Sequence, residues 1–387
     1  MRTFGKWLGR LLLVLILAGA AGWFWKGDEV KRLLAVNSLF AADKIVWNFS
    51  HMDQLFLTAP LPRGDGPVSE LPQGDPAPLP AEAAAWIEDR AVTSLLVLQD
   101  GAIRHESYHL GTGPEDRRIS WSIAKSYLSA LLGVLLEDGA IDSIDEPVVT
   151  YAPALIGSAY ETASIRNVLN MASGVVFDED YMDAGSDINR MGREVALGGT
   201  LDAFTASFAD SFAAPGEAWQ YVSIDTHVIG MVIRGATGQS VTDLLDDRIL
   251  KPLGMEQDGY YLTDGEGVAF VLGGLNFTTR DYARFGQMIL QDGEYGGRQV
   301  VPAGWVAAST APSAPTAEGK IRYGYQWWIP RDARPGEVLG RGVYGQYLYI
   351  DRTQGVLIVA TAADRKFRDP GVSRANIEMF RRIADGL

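Results

Sequence analysis

Hydrophobic and polar positions repeat with different periods along this chain, and the changes of period divide it into segments. Residues 28–58 are amphipathic at helical spacing, with Leu33, Leu34, Val36 and Leu39 on one side. Seven of the 18 prolines fall within 59–80, which predicts an extended segment. Residues 28–80 therefore read as a helical and proline-rich N-terminal arm. Ala81–Arg90 follows as a helix. From Thr93 to Tyr108 the period shortens to two: Leu95-Leu-Val-Leu98, a turn at Asp100-Gly101 and a returning strand predict a hairpin. Helical spacing dominates from Trp121 to about Arg248, including Ser122–Glu137, Ile165–Met171 and Thr226–Ala236. It returns at Asp281–Gln291 and again from about Val372 to Ile383. Gly324–Trp328 and Val343–Ala360 read as antiparallel strands, the second broken by a turn at Arg352-Thr-Gln-Gly355. Strands at both ends with helices between predict an α+β fold: an antiparallel sheet flanked by N- and C-terminal helices, with a helical insertion domain. Residues 81–387 then form one domain, with an α/β lobe over about 81–135 and 270–387 and a helical lobe over about 136–269. A cleft is expected between the lobes.

The N-terminus carries a different signal. Arg2, Lys6 and Arg10 precede the apolar run Leu11 to Trp25, which marks residues 1–27 as a signal anchor or a cleaved signal peptide. Fifteen helical residues at 1.5 Å each span about 22 Å against a hydrocarbon core of roughly 30 Å. Trp7 and Leu8 extend the run, Trp23 and Trp25 suit the interface, and Ala18-Gly19-Ala20 is a cleavage candidate. The remainder of the chain is expected across the inner membrane, facing the periplasm, or free in the periplasm after cleavage.

Composition narrows the chemistry. A formal charge of −14 repels phosphate backbones, so nucleic acid is excluded as a partner. With no cysteine there is no disulfide, thiolate metal site or cysteine nucleophile. His105-Glu-Ser-Tyr-His109 matches the zinc-protease string H-E-x-x-H, but it lies on the returning hairpin strand. There the two histidines stand about 13 Å apart. No G-x-S-x-G, Walker A or G-x-G-x-x-G string occurs.

Three elements remain. Ser122-Ile-Ala-Lys125 is an S-x-x-K, of which chance supplies about 0.4 copies in a chain of this composition. One helical turn places Lys125 on the serine's face, and a lysine directed into a buried helix face has a depressed pKa, as a base requires. The serine N–H at the positive helix end suits an oxyanion. The same four residues also fit a helix-capping serine with a snorkelling lysine. Tyr221-Val-Ser223 places a phenol and a hydroxyl on one side of an extended turn, suited to proton transfer or to holding the lysine. A buried structural tyrosine fits it too. Gly340-Arg-Gly-Val-Tyr-Gly345 is a glycine-rich strand start that allows close approach of substrate to backbone, with Val343 the candidate second oxyanion donor; a strand bulge is the other reading.

In this order the three elements resemble the serine β-lactamase and penicillin-recognising superfamily, in particular its class C-like branch. Ser164–Gly174, Lys251–Met255 and Gly273–Gly286 match that branch as supporting blocks, and the resemblance covers roughly residues 80–385. Class C β-lactamases carry Tyr-x-Asn and Lys-Thr-Gly where this chain has Tyr221-Val-Ser223 and Gly340-Arg341-Gly342. These departures make it look closer to the 6-aminohexanoate-dimer hydrolases and related carboxylesterases. The resemblance implies an acyl-enzyme on Ser122 with Lys125 as base, Tyr221 as proton donor to the leaving group and Ser223 positioning both. It implies an oxyanion hole from the N–H groups of Ser122 and Val343. Tyr181, in Phe177-Asp-Glu-Asp-Tyr181, corresponds to a tyrosine on a substrate-covering loop. Asn276, Arg341 and Tyr344 are the other expected substrate contacts. The implied substrate is a small ester or linear amide, with no metal or organic cofactor. A β-lactamase, a D-Ala-D-Ala carboxypeptidase or a non-turnover penicillin-binding module is the alternative.

Overall fold

The computed structural model describes residues 2–387; the side chains of residues 14–23 and of a few positions before them lie outside that description. Val92–Gln99 and Ala102–Tyr108 pair antiparallel as the expected hairpin. Asp100 and Gly101 both take positive φ, 50° and 81°, the turn that matches strand twist. The hairpin edges a seven-stranded antiparallel sheet. Its order is Ala102–Tyr108, Val92–Gln99, Val356–Ala362, Gln346–Asp351, Glu337–Gly342, Trp328–Ile329 and Arg322–Tyr323. The sheet is thus assembled from both ends of the domain, as the element order predicts.

Alternation along the central strands sorts the core into two layers. Leu95, Val97, Val356 and Ile358 pack with Trp86, Phe380 and Ile383 of helices Ala83–Asp89 and Val372–Asp385. Leu96, Leu98, Leu357 and Val359 face the opposite layer, which holds helices Ala124–Glu137 and Thr279–Leu290. Every residue from Ala124 to Leu135 is buried, so the helix that follows the S-x-x-K serine runs through the middle of the molecule. The outer edge of the sheet is covered by the arm: Gly74 N–H donates to Ile103 O at 2.9 Å and Ala77 N–H to Arg104 O at 2.9 Å. Backbone capping of this kind satisfies an edge strand's open groups.

The N-terminal arm packs into the fold. A long helix, Arg2–Ser38, is followed by short turns at Ile45–Asn48 and Met52–Gln54. Leu39, Ile45, Phe49 and Met52 are buried in a cluster with Ile119, Tyr260, Tyr344 and Ala363. Arg32 Nε donates to Ala196 O at 2.8 Å, tying the long helix to helix Asp187–Leu197. A second, four-stranded sheet runs Thr58–Leu61, Gly259–Leu262, Leu275–Phe277, Arg118–Ile119. It takes one strand from the arm and crosses the expected lobe boundary at 269/270. Pro60 is accommodated because its strand is at the edge, where a missing N–H is tolerated.

The predicted export segment falls largely on the residues whose side chains are not described. Of its described side chains, Leu11, Leu12, Leu13, Phe24 and Trp25 are exposed. Among the described residues, no helix is long and apolar enough to cross a membrane.

Candidate active site

The strand Arg118–Ile119 leads into a 3-10 turn, Trp121–Ile123, and only then into helix Ala124–Glu137. Ser122 therefore stands in the turn two residues ahead of the α-helix rather than opening it. Trp121 takes φ 44°, a left-handed conformation that a bulky side chain holds only under tertiary constraint. Ser122 is 8% exposed and Lys125 1%. The Lys125 ammonium donates to Ser223 Oγ at 3.2 Å and to Leu272 O at 2.7 Å, and lies 5.6 Å from the centre of the Tyr221 ring. Burial lowers its pKa to about 7, against the upward pull of the Glu179 and Asp225 charges. Among the described residues no hydrogen bond joins Lys125 to Ser122. The Tyr221 hydroxyl faces both the Ser122 and the Ser223 hydroxyls, and burial pushes its pKa well above the ordinary phenol value. Trp328 stacks on the Tyr221 ring at 4.9 Å, fixing its plane.

Two acidic residues that the sequence left unassigned stand near, Glu179 bonded to Ser223 and Asp225 acting on Lys125 through its charge. Glu179 accepts hydrogen bonds from the Ser223 N–H at 2.8 Å, from Ser223 Oγ and from the Tyr181 hydroxyl. It sits in a loop, where no periodicity marks which carboxylate turns inward; its nearness to Tyr181 was the one available signal. Asp225 is fully buried and accepts from Tyr160 Oη at 2.9 Å and Ser173 Oγ at 2.7 Å. Burial raises its pKa to about 7. In sequence it resembles an ordinary first-turn acid of helix Ile224–Thr237.

Val343 begins a short 3-10 turn at the end of strand Glu337–Gly342. Gly342 makes the approach possible: a Cβ there would lie 2.6 Å from Ser120 O and 2.9 Å from Trp121 Cβ. Only a glycine lets this strand end press against the backbone that carries Ser122. The N–H groups of Ser122 and Val343 both occupy first-turn positions, which have no intrahelical acceptor.

Two chambers meet at Ser122, Tyr181 and Val343, which line both. One, of about 270 Å3, is lined by Glu179, Tyr221, Trp328, Arg341 and Arg368. The other, of about 110 Å3, is walled mainly by apolar side chains. Tyr181 and Arg341 stand on the cleft wall, Arg341 stacked over Trp328 at 5.4 Å. Asn276 and Tyr344 do not. Asn276 is fully buried in strand Leu275–Phe277, its amide donating to Gly274 O at 2.8 Å. Tyr344 is stacked on Phe40 at 4.5 Å and packed edge-on by Phe49. The docked arm, invisible in local sequence pattern, covers the position expected to touch substrate.

Residues 83–378 match the family model for Beta-lactamase. The chain belongs to the β-lactamase family. It is 31% identical over 330 residues to the 6-aminohexanoate-dimer hydrolase of Paenarthrobacter ureafaciens, covering 81% of this chain and 84% of that protein. Among solved structures, a Bacillus anthracis protein provisionally assigned as a 6-aminohexanoate-dimer hydrolase is similar, with a TM-score of 0.77 and 23% identity over 89% of this chain and 95% of that one. A D-stereospecific amidohydrolase from Streptomyces is similar with a TM-score of 0.61, at 19% identity over 76% of this chain and 98% of that one. At these identities the structures speak to the fold alone. This member of the β-lactamase family is accordingly a serine hydrolase with the expected antiparallel sheet and helical insertion.

Proposed function

We propose that the protein cleaves small carboxylic esters or linear amides through an acyl-enzyme on Ser122. Neutral Lys125 is the base that takes the Ser122 proton, with Tyr221 and Ser223 beside it. Tyr221 is a poor candidate for the base, because burial and the Glu179 charge hold its proton on. That same proton suits it to protonating the leaving group. The N–H groups of Ser122 and Val343 receive the oxyanion, and water then hydrolyses the acyl-serine. Ser223 and Glu179 position Lys125 and Tyr181. The observation that carries this reading is a lysine almost fully buried one turn from a serine, with its pKa lowered to about 7.

The 6-aminohexanoate-dimer hydrolase relative favours a linear amide or ester over a β-lactam. The Gly340-Arg341-Gly342 sequence points the same way. Exposed Leu11–Leu13, Phe24 and Trp25, after a basic N-terminus, support export with the N-terminal helix anchored in the membrane.

The test is a substrate panel: p-nitrophenyl esters, a linear amide dimer and a chromogenic cephalosporin, each with the Ser122→Ala variant. Turnover of ester or amide, lost in Ser122→Ala, is expected. Cephalosporin as the preferred substrate, or retained turnover in Ser122→Ala, overturns the reading.

A further inference from the structure

The two chambers that meet at the nucleophile differ in kind, and the difference assigns a direction to the substrate. The chamber with Tyr221 also holds Glu179, Arg341 and Arg368. On the proposed mechanism this is the leaving-group side, because Tyr221 supplies the leaving group's proton. The acyl half of the substrate then lies across Ser122, in the smaller chamber. Its walls come from three places: Val36 and Phe40 of the N-terminal arm, Ile188 and Val195 of helix Asp187–Leu197, and Phe270 with Leu272, whose carbonyl accepts from Lys125. Among the described residues, no lysine, arginine, aspartate or glutamate lines it.

We infer that this chamber is an acyl-chain subsite, so that the substrates are esters or amides of short aliphatic acids, and that the N-terminal arm forms one wall of it. The inference rests on the proposed acyl-enzyme mechanism for its direction, but not for the existence of the pocket. A volume of about 110 Å3 holds roughly four methylene-sized groups, on the scale at which one water occupies about 30 Å3. Each methylene buried there raises binding about fourfold.

Gly192 provides the test. It faces this chamber from the middle of helix Asp187–Leu197, and a Cβ built on it meets no atom within 4 Å. Leucine there fills the chamber while favouring the helix. For the parent enzyme, kcat/KM is expected to rise at least twentyfold from p-nitrophenyl acetate to the hexanoate. Lengthening the alcohol instead, from ethyl to hexyl acetate, should gain less than threefold. Gly192→Leu should cut the hexanoate-to-acetate ratio at least tenfold. A turnover-independent arm uses calorimetry on Ser122→Ala: hexanamide should bind at least tenfold more tightly than acetamide. Esters turned over with no dependence on acyl length overturn the subsite and leave the mechanism standing. Hexanamide preference without any turnover overturns the mechanism and leaves the pocket standing. Equal loss on acetate and hexanoate in a folded Gly192→Leu, or hexanamide binding no tighter than acetamide, also overturns the subsite.

Discussion

At the scale of single residues, the account turns on where the charge on Lys125 goes. Burial favours its neutral form, and the nearby Glu179 carboxylate opposes that. On the proposed mechanism the lysine works when deprotonated, so kcat/KM should climb with pH through about 7 and level above it. A limb near the ordinary lysine value would contradict this. Glu179 gives the sharper test. Removing its negative charge takes away a stabiliser of the ammonium, so Glu179→Gln should move the acid limb to lower pH, even if its plateau falls through loosened Ser223. An unmoved or raised limb would show that Glu179 does not feel Lys125. Ser122, Lys125, Tyr221 and Ser223 were legible in the sequence because each pair sits at a spacing that fixes direction, one helical turn or two extended residues. Glu179 was not, since a loop carboxylate has no such spacing, and Asp225 was hidden by looking like a routine helix-start acid.

At the scale of elements, the decisive contact is between the end of strand Glu337–Gly342 and the turn Trp121–Ile123. Gly342 closes it, and Val343, the next residue, lines the same two chambers as Ser122. Gly342→Ala should push the strand end away, lowering kcat about 10- to 100-fold, within the range for a displaced oxyanion donor. KM should change much less; steady-state kinetics on a short ester checks both. An unchanged kcat would remove Val343 from the mechanism. The hairpin, the long helices and the antiparallel order of the sheet were all readable from periodicity. The four-stranded sheet was not: its strands are two to four residues long and one lies in a proline-rich stretch, so neither alternation nor propensity marks it.

For the whole molecule, the N-terminal arm changes meaning. Read locally, it connects an export signal to a domain. In the fold it supplies Leu39, Ile45, Phe49 and Met52 to a buried cluster, an edge strand to the smaller sheet and one wall of the chamber beside Ser122. Each such core side chain is worth about 2–5 kcal/mol when removed. A chain lacking residues 1–57 should therefore lose roughly 10 °C or more in Tm, or fail to remain soluble, whereas one beginning near residue 26 should keep its Tm. Calorimetry on the two truncations separates these outcomes, and equal melting would show that the arm adds nothing to stability. The covering of Tyr344 has the same origin: its neighbour Phe40 is about 300 residues away in sequence, beyond the reach of any local pattern.

The central claim is that Ser122 becomes acylated during turnover. Rapid quenching of the enzyme with p-nitrophenyl butyrate, followed by intact mass measurement and peptide mapping, tests it directly. The account predicts a butyryl adduct on the peptide containing Ser122, formed with a burst of nitrophenol and lost as turnover ends. Hydrolysis with no adduct, or an adduct on any other residue, would contradict it.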